Sequence, residues 1–275
     1  MMNLSICLEN VRAKTPLVHN ITNYVTVNDC ANILLACGAS PIMSDDPEEV
    51  EEITSICGGL NINIGTLNGQ TIESMFLAGG RANELEHPVL LDPVGAGASE
   101  LRTDTALDLL EEVKFAAVRG NISEIITLAY GNGTTKGVDA DEEDQLNASN
   151  RDSVIRFARE FAEEYETVVA ITGATDVITD GRRVCLIQNG HPMMSRITGT
   201  GCMLSAMTTA FLAANPEQPF EAVCAAVCAM GLAGELAHKR LSPLEGNASY
   251  RNYIIDAIYH MSGAQLEEGA RYELL

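Results

Sequence analysis

Two glycines and a cysteine stand where an apolar helix is predicted to begin, in RITGTGCMLSA, residues 196–206. Glycine lets the backbone approach a ligand closely, and the first amides of a helix point outward at the positive end of its dipole. Gly199, Thr200 and Gly201 are therefore predicted to bind an anion. Cys202 shares this position, so we expect its pKa to be lowered and its thiol to be more reactive than the other seven. The alternative is a glycine turn into a buried helix, with Cys202 as a small core residue.

Two acidic residues could hold a cation near that anion site. Asp92 ends the apolar segment PVLLDPVG, residues 88–95, where a carboxylate is costly unless it is solvated, paired or bound to metal. Glu124 follows Asn121 by three residues, so both face the same side of a helix that begins near Asn121. This pair is either a helix cap or part of a site. Because Mg²⁺ usually takes one or two carboxylates together with waters and phosphates, Asp92 and Glu124 are predicted to surround Mg²⁺.

Apolar segments alternate with amphipathic ones along the chain, which predicts strands separated by helices. Predicted strands cover residues 40–43, 60–65, 88–95, 114–121 and 167–173, and Asp180-Gly181 joins two more in a hairpin. Predicted helices cover residues 3–13, 25–37, 71–85, 103–113, 122–131, 151–165 and most of 199–262, with one more capped by Asp46. A polar surface loop is expected over residues 131–150. This pattern favours a single doubly wound α/β domain over residues 1–275, in which a mostly parallel sheet has helices on both faces.

In sheets of this kind, ligands bind beyond the carboxyl ends of the strands. The residues predicted at those ends are Met43 to Asp45, Gly65, Asp92, Arg119, Asn121, Thr172 and Gly173. We therefore expect one candidate site on this edge of the sheet, with the helix start near Gly199 opening toward Asp92 and Glu124.

The net charge of −21 argues against binding to nucleic acids or anionic membranes, since neither is attracted to an acidic protein. It does not exclude a nucleotide, because one cleft with an arginine, backbone amides and a divalent cation can bind a triphosphate. The sequence shows no charged-then-apolar leader and no apolar run of about 18 residues. Its eight cysteines include no CxxC pair and are expected to be reduced. We therefore expect a soluble, cytoplasmic protein.

Seven segments, taken together, resemble the hydroxyethylthiazole kinase family of the ribokinase-like superfamily. They are PLVHNITNYV (16–25), GASPIMS (38–44), NINIGTL (61–67), LDPVGAGAS (91–99), VRGNISEI (118–125), VVAITG (168–173) and TGTGC (198–202). The pair of N-x-x-E and a late G-T-G that opens a helix is typical of the superfamily, and the matches are collinear from about residue 16 to about residue 240.

The resemblance implies a role for each candidate residue. Contacts with ATP are implied for Arg119, Thr172 and Asn121, and organisation of Mg²⁺ and the phosphates for Asp92 and Glu124. An anion hole for the transferring phosphoryl group is implied for Gly199, Thr200 and Gly201. A substrate pocket is implied for Met43, Asn23, Gly65 and Gly199, with Cys202 beside the substrate hydroxyl. Most ribokinase-like kinases carry an aspartate where this chain has Cys202, so we interpret Cys202 as a weak base or a positioning group.

The activity that the resemblance implies is ATP-dependent phosphorylation of the hydroxyl of 4-methyl-5-(2-hydroxyethyl)thiazole, in thiamine biosynthesis or salvage. It also implies a ribokinase-like fold without a lid, and a homotrimer whose active sites lie between subunits. Three alternatives stay open. They are a kinase for a related small alcohol such as a hydroxymethylpyrimidine, a covalent enzyme with Cys202 as nucleophile, and a nucleotide-binding protein without activity.

Overall fold

One sheet runs through the part of the chain that the computed structural model describes, residues 2–131 and 150–275. The strands in these residues are β1 Leu17–Ile21, β2 Ser40–Met43, β3 Gly59–Asn63, β4 Val89–Asp92, β5 Ala117–Asn121, β6 Val168–Thr172, β7 Asp176–Thr179, β8 Val184–Ile187 and β9 Tyr272–Leu274. Their order is β2-β1-β3-β4-β5-β6-β7-β8-β9. Neighbours from β2 to β6 are parallel and the later pairs are antiparallel. The prediction of a mostly parallel sheet is confirmed.

Helices cover both faces of this sheet. They are α1 Leu4–Lys14, α2 Val27–Cys37, α3 Val50–Ile56, α4 Gly69–Glu84, α5 Glu100–Glu112, α6 Ile122–Tyr130, α7 Arg151–Glu164, α8 Thr200–Ala214, α9 Pro219–Arg240, α10 Asn247–His260 and α11 Gly263–Gly269. One hydrophobic core includes side chains of α1, α2, α8, α9 and α10, and a second includes side chains of α4 to α7. The doubly wound α/β architecture is therefore confirmed. The loop predicted over residues 131–150 lies, apart from its two ends, outside the described residues.

The two cores meet at the strands in the middle of the sheet. In β4, Val89 and Leu91 enter the core on the α4 to α7 side, whereas Leu90 enters the opposite core. Successive side chains of a strand point to opposite faces, so a strand that is covered on both sides needs an apolar residue at nearly every position. Asp92 is the exception in β4, since it is fully buried at the carboxyl end of the strand.

Two strands were not among those predicted. β1 is buried but contains His19 and Asn20, which interrupt the apolar pattern by which the other strands were found. β9 is three residues long and pairs with β8 at the edge of the sheet, where its side chains are half-buried or exposed. Both strands form by pairing with strands that are close in space. The local sequence carries no signal of this pairing.

The acidic helix begins later than predicted. Asp46 was expected to cap it, but α3 starts at Val50 with Glu49 as its capping residue. The side chain of Asp46 instead accepts a hydrogen bond from the amide of Glu48 at 2.9 Å, which closes a turn ahead of the helix. The local hydrogen bond of an aspartate therefore forms a turn here, as such side chains commonly do.

One described helix, α9, is long and apolar enough to span a membrane by length and composition. However, 83% of its most apolar window is buried inside the protein. It packs against α8, α10 and α1, which identifies it as a core helix.

Candidate active site

The start of α8 is open, as the glycine pattern predicts. Gly199 has φ of +90° and caps the helix through its backbone alone, without a side-chain hydrogen bond. A Cβ at this position would lie 2.6 Å from a methyl carbon of Thr26, so both conformation and space require glycine. Within the described residues, the amides of Thr200, Gly201 and Cys202 donate to no protein acceptor. Three N–H groups are thus available to an anion at this helix end.

Arg119 of β5 brings a positive charge to the same place. Its guanidinium donates to Thr172 Oγ1 at 2.8 Å and lies 3.4 Å from Asp92 Oδ1. A Cβ on Gly201 would stand only 2.5 Å from Arg119 Nη1, so the guanidinium lies against the first turn of α8. The side chain is 13% exposed. The open amides and the arginine therefore form one positively polarised surface.

Asp92 is buried beside this surface and is held by three donors. Its Oδ2 accepts from Asn63 Nδ2 at 2.7 Å and from Ser205 Oγ at 2.8 Å, while Oδ1 faces Arg119. Burial raises the pKa of Asp92, and the charge of Arg119 together with the hydrogen bonds opposes that rise. A buried carboxylate with this many donors has a fixed position at the end of β4.

Glu124 forms the helix cap that one of the two sequence interpretations expected. Its Oε2 accepts a hydrogen bond from the backbone amide of Asn121 at 2.8 Å. In return, Asn121 Oδ1 accepts a hydrogen bond from the backbone amide of Glu124 at 2.8 Å. Its Oε1 accepts the amide of Gly95 at 2.9 Å, which ties the Gly-rich turn after β4 to α6. Burial, followed by the nearby charge of Asp92, raises the pKa of Glu124 to about 7. The capping interpretation is thus confirmed for both residues.

The cap does not prevent Glu124 from acting near a cation, since each carboxylate oxygen has two lone pairs and accepts one amide here. The charge of Asp92 is close enough to raise the cost of ionising Glu124, and a divalent cation near both would offset that cost. Two carboxylates are a donor set that suits Mg²⁺, which takes one or two carboxylates together with water and substrate phosphate oxygens.

Cys202 differs from the prediction. Its side chain is in the hydrophobic core and 8% exposed, and its sulfur accepts from Asn23 Nδ2 at 3.2 Å and Asn63 Nδ2 at 3.4 Å. Burial, followed by the charge of Asp92, raises its pKa, so the expected lowering is wrong. The first turn of α8 thus leaves its backbone amides open, while the thiol of Cys202 points toward Asn63 of β3 and lies near the buried Asp92.

The residues expected around the substrate lie partly together. Asn23 Nδ2 donates to Asn63 Oδ1 at 3.0 Å, and the amide of Gly65 donates to the same oxygen at 2.9 Å. A Cβ on Gly65 would lie 2.9 Å from that oxygen and 3.1 Å from Asn23, so only glycine fits there. Met43 ends β2 two strands away from β3, and it packs half-buried against the core that includes Cys202. It shares no hydrogen bond with the other residues.

Three side chains were missed by the sequence analysis. Asn63 and Ser205 both hold Asp92, and Asp176 accepts the amide of Gly173 at 2.9 Å beside Thr172. Burial raises the pKa of Asp176 to about 7. Asn63 could have been found, because two asparagines, Asn61 and Asn63, within one short buried strand are unusual. Ser205 lies one helical turn after Gly201 and carries no comparable signal.

The comparison with known families agrees with this geometry. A family model described as the hydroxyethylthiazole kinase family matches residues 8–264. The chain belongs to the hydroxyethylthiazole kinase family. A relative from Clostridium acetobutylicum, named hydroxyethylthiazole kinase, is 64% identical over 266 residues, which cover 97% of each chain.

Solved structures show the same fold in this family and beyond it. A hydroxyethylthiazole kinase from Pyrococcus horikoshii is similar with a TM-score of 0.87 and 36% identity, over 99% of this chain and 98% of that one. A pyridoxal kinase from Staphylococcus aureus, in complex with pyridoxal, has a TM-score of 0.61 at 16% identity, over 94% and 97% of the two chains. The second likeness is one of fold alone. Together they confirm the ribokinase-like architecture that the sequence resemblance implied.

Proposed function

We propose that this protein transfers the γ-phosphoryl group of ATP to the hydroxyl of 4-methyl-5-(2-hydroxyethyl)thiazole, in thiamine biosynthesis or salvage. The observation that carries the proposal is the open start of α8, where Gly201 lies against the guanidinium of Arg119 and that guanidinium lies beside Asp92. This arrangement suits the binding of a phosphoryl group during its transfer. The names of the relatives in the family support the thiazole alcohol as acceptor.

In the proposed reaction, the alcohol oxygen attacks the γ-phosphorus in line, and the bond from phosphorus to the bridging oxygen of ADP breaks. Charge on the transferred group is stabilised by the amides of Thr200, Gly201 and Cys202 and by Arg119. Phosphoryl transfer has a loose transition state, so positioning and charge stabilisation supply most of the acceleration. Thr172 and Asn121, at the ends of β6 and β5, would contact the nucleotide. Bound Mg²⁺ would neutralise charge on the phosphates.

Asp92 and Glu124 are the residues that would hold Mg²⁺. Cys202 keeps its proton at neutral pH because burial and Asp92 raise its pKa, so it orients the alcohol and is a poor general base. A covalent cysteine mechanism would need a base that is hydrogen-bonded to the sulfur. The side chains that donate to the sulfur are the amides of Asn23 and Asn63, and the carboxylate of Asp92 is bonded to Asn63, Ser205 and Arg119 instead. This arrangement favours the kinase over the covalent enzyme.

The proposal is tested by measuring ADP release with Mg²⁺ in the presence and absence of the thiazole alcohol. We expect alcohol-dependent turnover and a phosphorylated thiazole as product. A hydroxymethylpyrimidine assayed in parallel would separate the two alcohol kinases. Tight ATP binding without any alcohol-dependent turnover would contradict the proposal and favour a nucleotide-binding protein.

We also infer that residues 1–275 form one domain, and that a homotrimer in the cytoplasm shares its active sites between subunits, with no nucleic acid or membrane as partner. The single sheet and the two cores on its faces support the one domain. Tyr24 and Val25, which follow Asn23, are 79% and 57% exposed, and a neighbouring subunit would cover them. Light scattering after size-exclusion chromatography tests the oligomer, and a monomer at micromolar concentration would contradict it.

A further inference from the structure

Asn63 at the end of β3 uses every hydrogen-bonding position of its side chain. Its Nδ2 donates to Asp92 Oδ2 at 2.7 Å and to Cys202 Sγ at 3.4 Å. Its Oδ1 accepts from Asn23 Nδ2 at 3.0 Å and from the amide of Gly65 at 2.9 Å. An asparagine amide has two N–H donors and two acceptor lone pairs, so this side chain is saturated. At 1% exposure it has no position left for a ligand.

The surroundings fix which way this amide points. The backbone amide of Gly65 can only donate, so the oxygen of Asn63 must face it. The nitrogen of Asn63 then faces the carboxylate of Asp92. A side chain of the same shape without this polarity, such as leucine or aspartate, cannot satisfy both neighbours.

We propose that Asn63 is a positioning residue of the kinase, and this inference rests on the proposed function. One planar amide sets the distance between Asp92, on the phosphate side of the site, and Gly65 with Asn23, on the alcohol side. Asn63 acts through these residues and does not itself touch the substrates. Groups that orient a metal-binding residue typically change affinity or activity about 10- to 100-fold when they are lost.

Asn61 offers a matched control on the same strand. It lies two residues earlier in β3, hence on the same face, and is 0% exposed. Its Nδ2 donates to Asn20 Oδ1 at 3.1 Å, and within the described residues its own Oδ1 has no partner. Its side chain shares no hydrogen bond with the candidate site, so the same substitution there reports the cost of a buried change alone.

The experiment compares Asn63→Leu with Asn61→Leu. Affinity for the thiazole alcohol alone is measured by calorimetry without nucleotide or metal, and kcat and KM are measured with ATP and Mg²⁺. For Asn63→Leu we expect alcohol affinity and kcat each to fall about 10- to 100-fold. For Asn61→Leu we expect both to stay within about threefold of the wild type. A purely structural role would change the melting temperature but leave the alcohol affinity of the folded variant unmoved.

Circular dichroism establishes that the variants fold. Should Asn63→Leu not fold, Asn63→Ala replaces it, since alanine removes the donors and acceptors without adding a charge beside Asp92, and Asn61→Ala is then its control. Unchanged alcohol affinity and kcat in the folded variant would overturn the inference, and so would equal losses at residues 61 and 63. A wild-type protein that neither binds the alcohol nor releases ADP would instead overturn the proposed function.

Discussion

Replacing Gly201 by alanine tests whether Arg119 must lie against the start of α8. A Cβ at residue 201 would stand 2.5 Å from Nη1 and 2.8 Å from Nη2 of Arg119. Since nonbonded atoms pack best at about 3.5–4.0 Å, the guanidinium has to move by about 1 Å. That movement breaks its 2.8 Å hydrogen bond to Thr172 and its contact with Asp92.

The expected loss follows from the charge that is displaced. Removing one preorganised donor from a developing negative charge costs about 10²- to 10³-fold in kcat, or roughly 2.7–4 kcal/mol. We expect Gly201→Ala to fall near the lower end, about 10²-fold, because the three helix amides remain. Stability should also fall, since the helix propensity of alanine, up to about 1 kcal/mol, does not offset the lost contact between Arg119 and the buried Asp92. A loss of kcat in a variant that still folds is the diagnostic result.

The measurements are kcat with ATP, Mg²⁺ and the thiazole alcohol, together with thermal unfolding. Gly80→Ala in α4 is the matched control, because a Cβ there meets nothing within 4 Å. It should gain up to about 1 kcal/mol of stability and keep its kcat. The reasoning would be refuted if Gly201→Ala kept kcat within about threefold of the wild type, or if Gly80→Ala lost as much activity.

Three further changes have defined outcomes. Asp92→Asn should raise the Mg²⁺ concentration needed for half-maximal turnover about 10- to 100-fold, as measured by Mg²⁺ titration, and an unchanged requirement would contradict a role beside the metal. Cys202→Ser keeps an acceptor for Asn23 and Asn63 and should lower kcat by less than about tenfold, whereas loss of a covalent nucleophile would cost about 10⁶-fold. Burial raises the pKa of Asp176 to about 7 in the native state, whereas an aspartate in the unfolded state titrates at about pH 4. Between these two pH values the native state binds a proton that the unfolded state has released. The free energy of unfolding, measured with urea, should therefore fall between about pH 4 and 7 and level off above about pH 7. Asp176→Asn should make this slope shallower, while Glu124, whose pKa is also raised to about 7, keeps its share; parallel curves would refute the assignment.

Much of the fold follows from local patterns. Nearly continuous apolar segments such as Val89–Asp92 and Val168–Thr172 predicted buried parallel strands, and the structure confirms them. β1 and β9 were missed because β1 carries His19 and Asn20 in the core and β9 is short and half-exposed. Strand identity in those two cases depends on neighbours that are distant in sequence.

The candidate site, like the fold, could be predicted from the sequence only in part. Gly199 and the cap formed by Asn121 and Glu124 could be predicted, because the residues that begin a helix follow preferences in the nearby sequence. The structure confirms both. The direction of the pKa shift of Cys202 could not be predicted from the sequence. A position at a helix start favours a lowered pKa, but burial beside Asp92 raises it. A pKa depends on the charges and solvent around a group, and here these come from strands far away in sequence.

Register explains why the site forms at all. Asn63 pairs with Asp92 across β3 and β4, and Asn121 pairs with Thr172 across β5 and β6. Because side chains alternate between faces, a slip of one residue in either pair would turn these groups to the opposite face. The apolar residues before them set the register by filling two cores, as Leu90 does on one face and Leu91 on the other. Packing far from any ligand therefore determines where the carboxylate of Asp92 meets the start of α8.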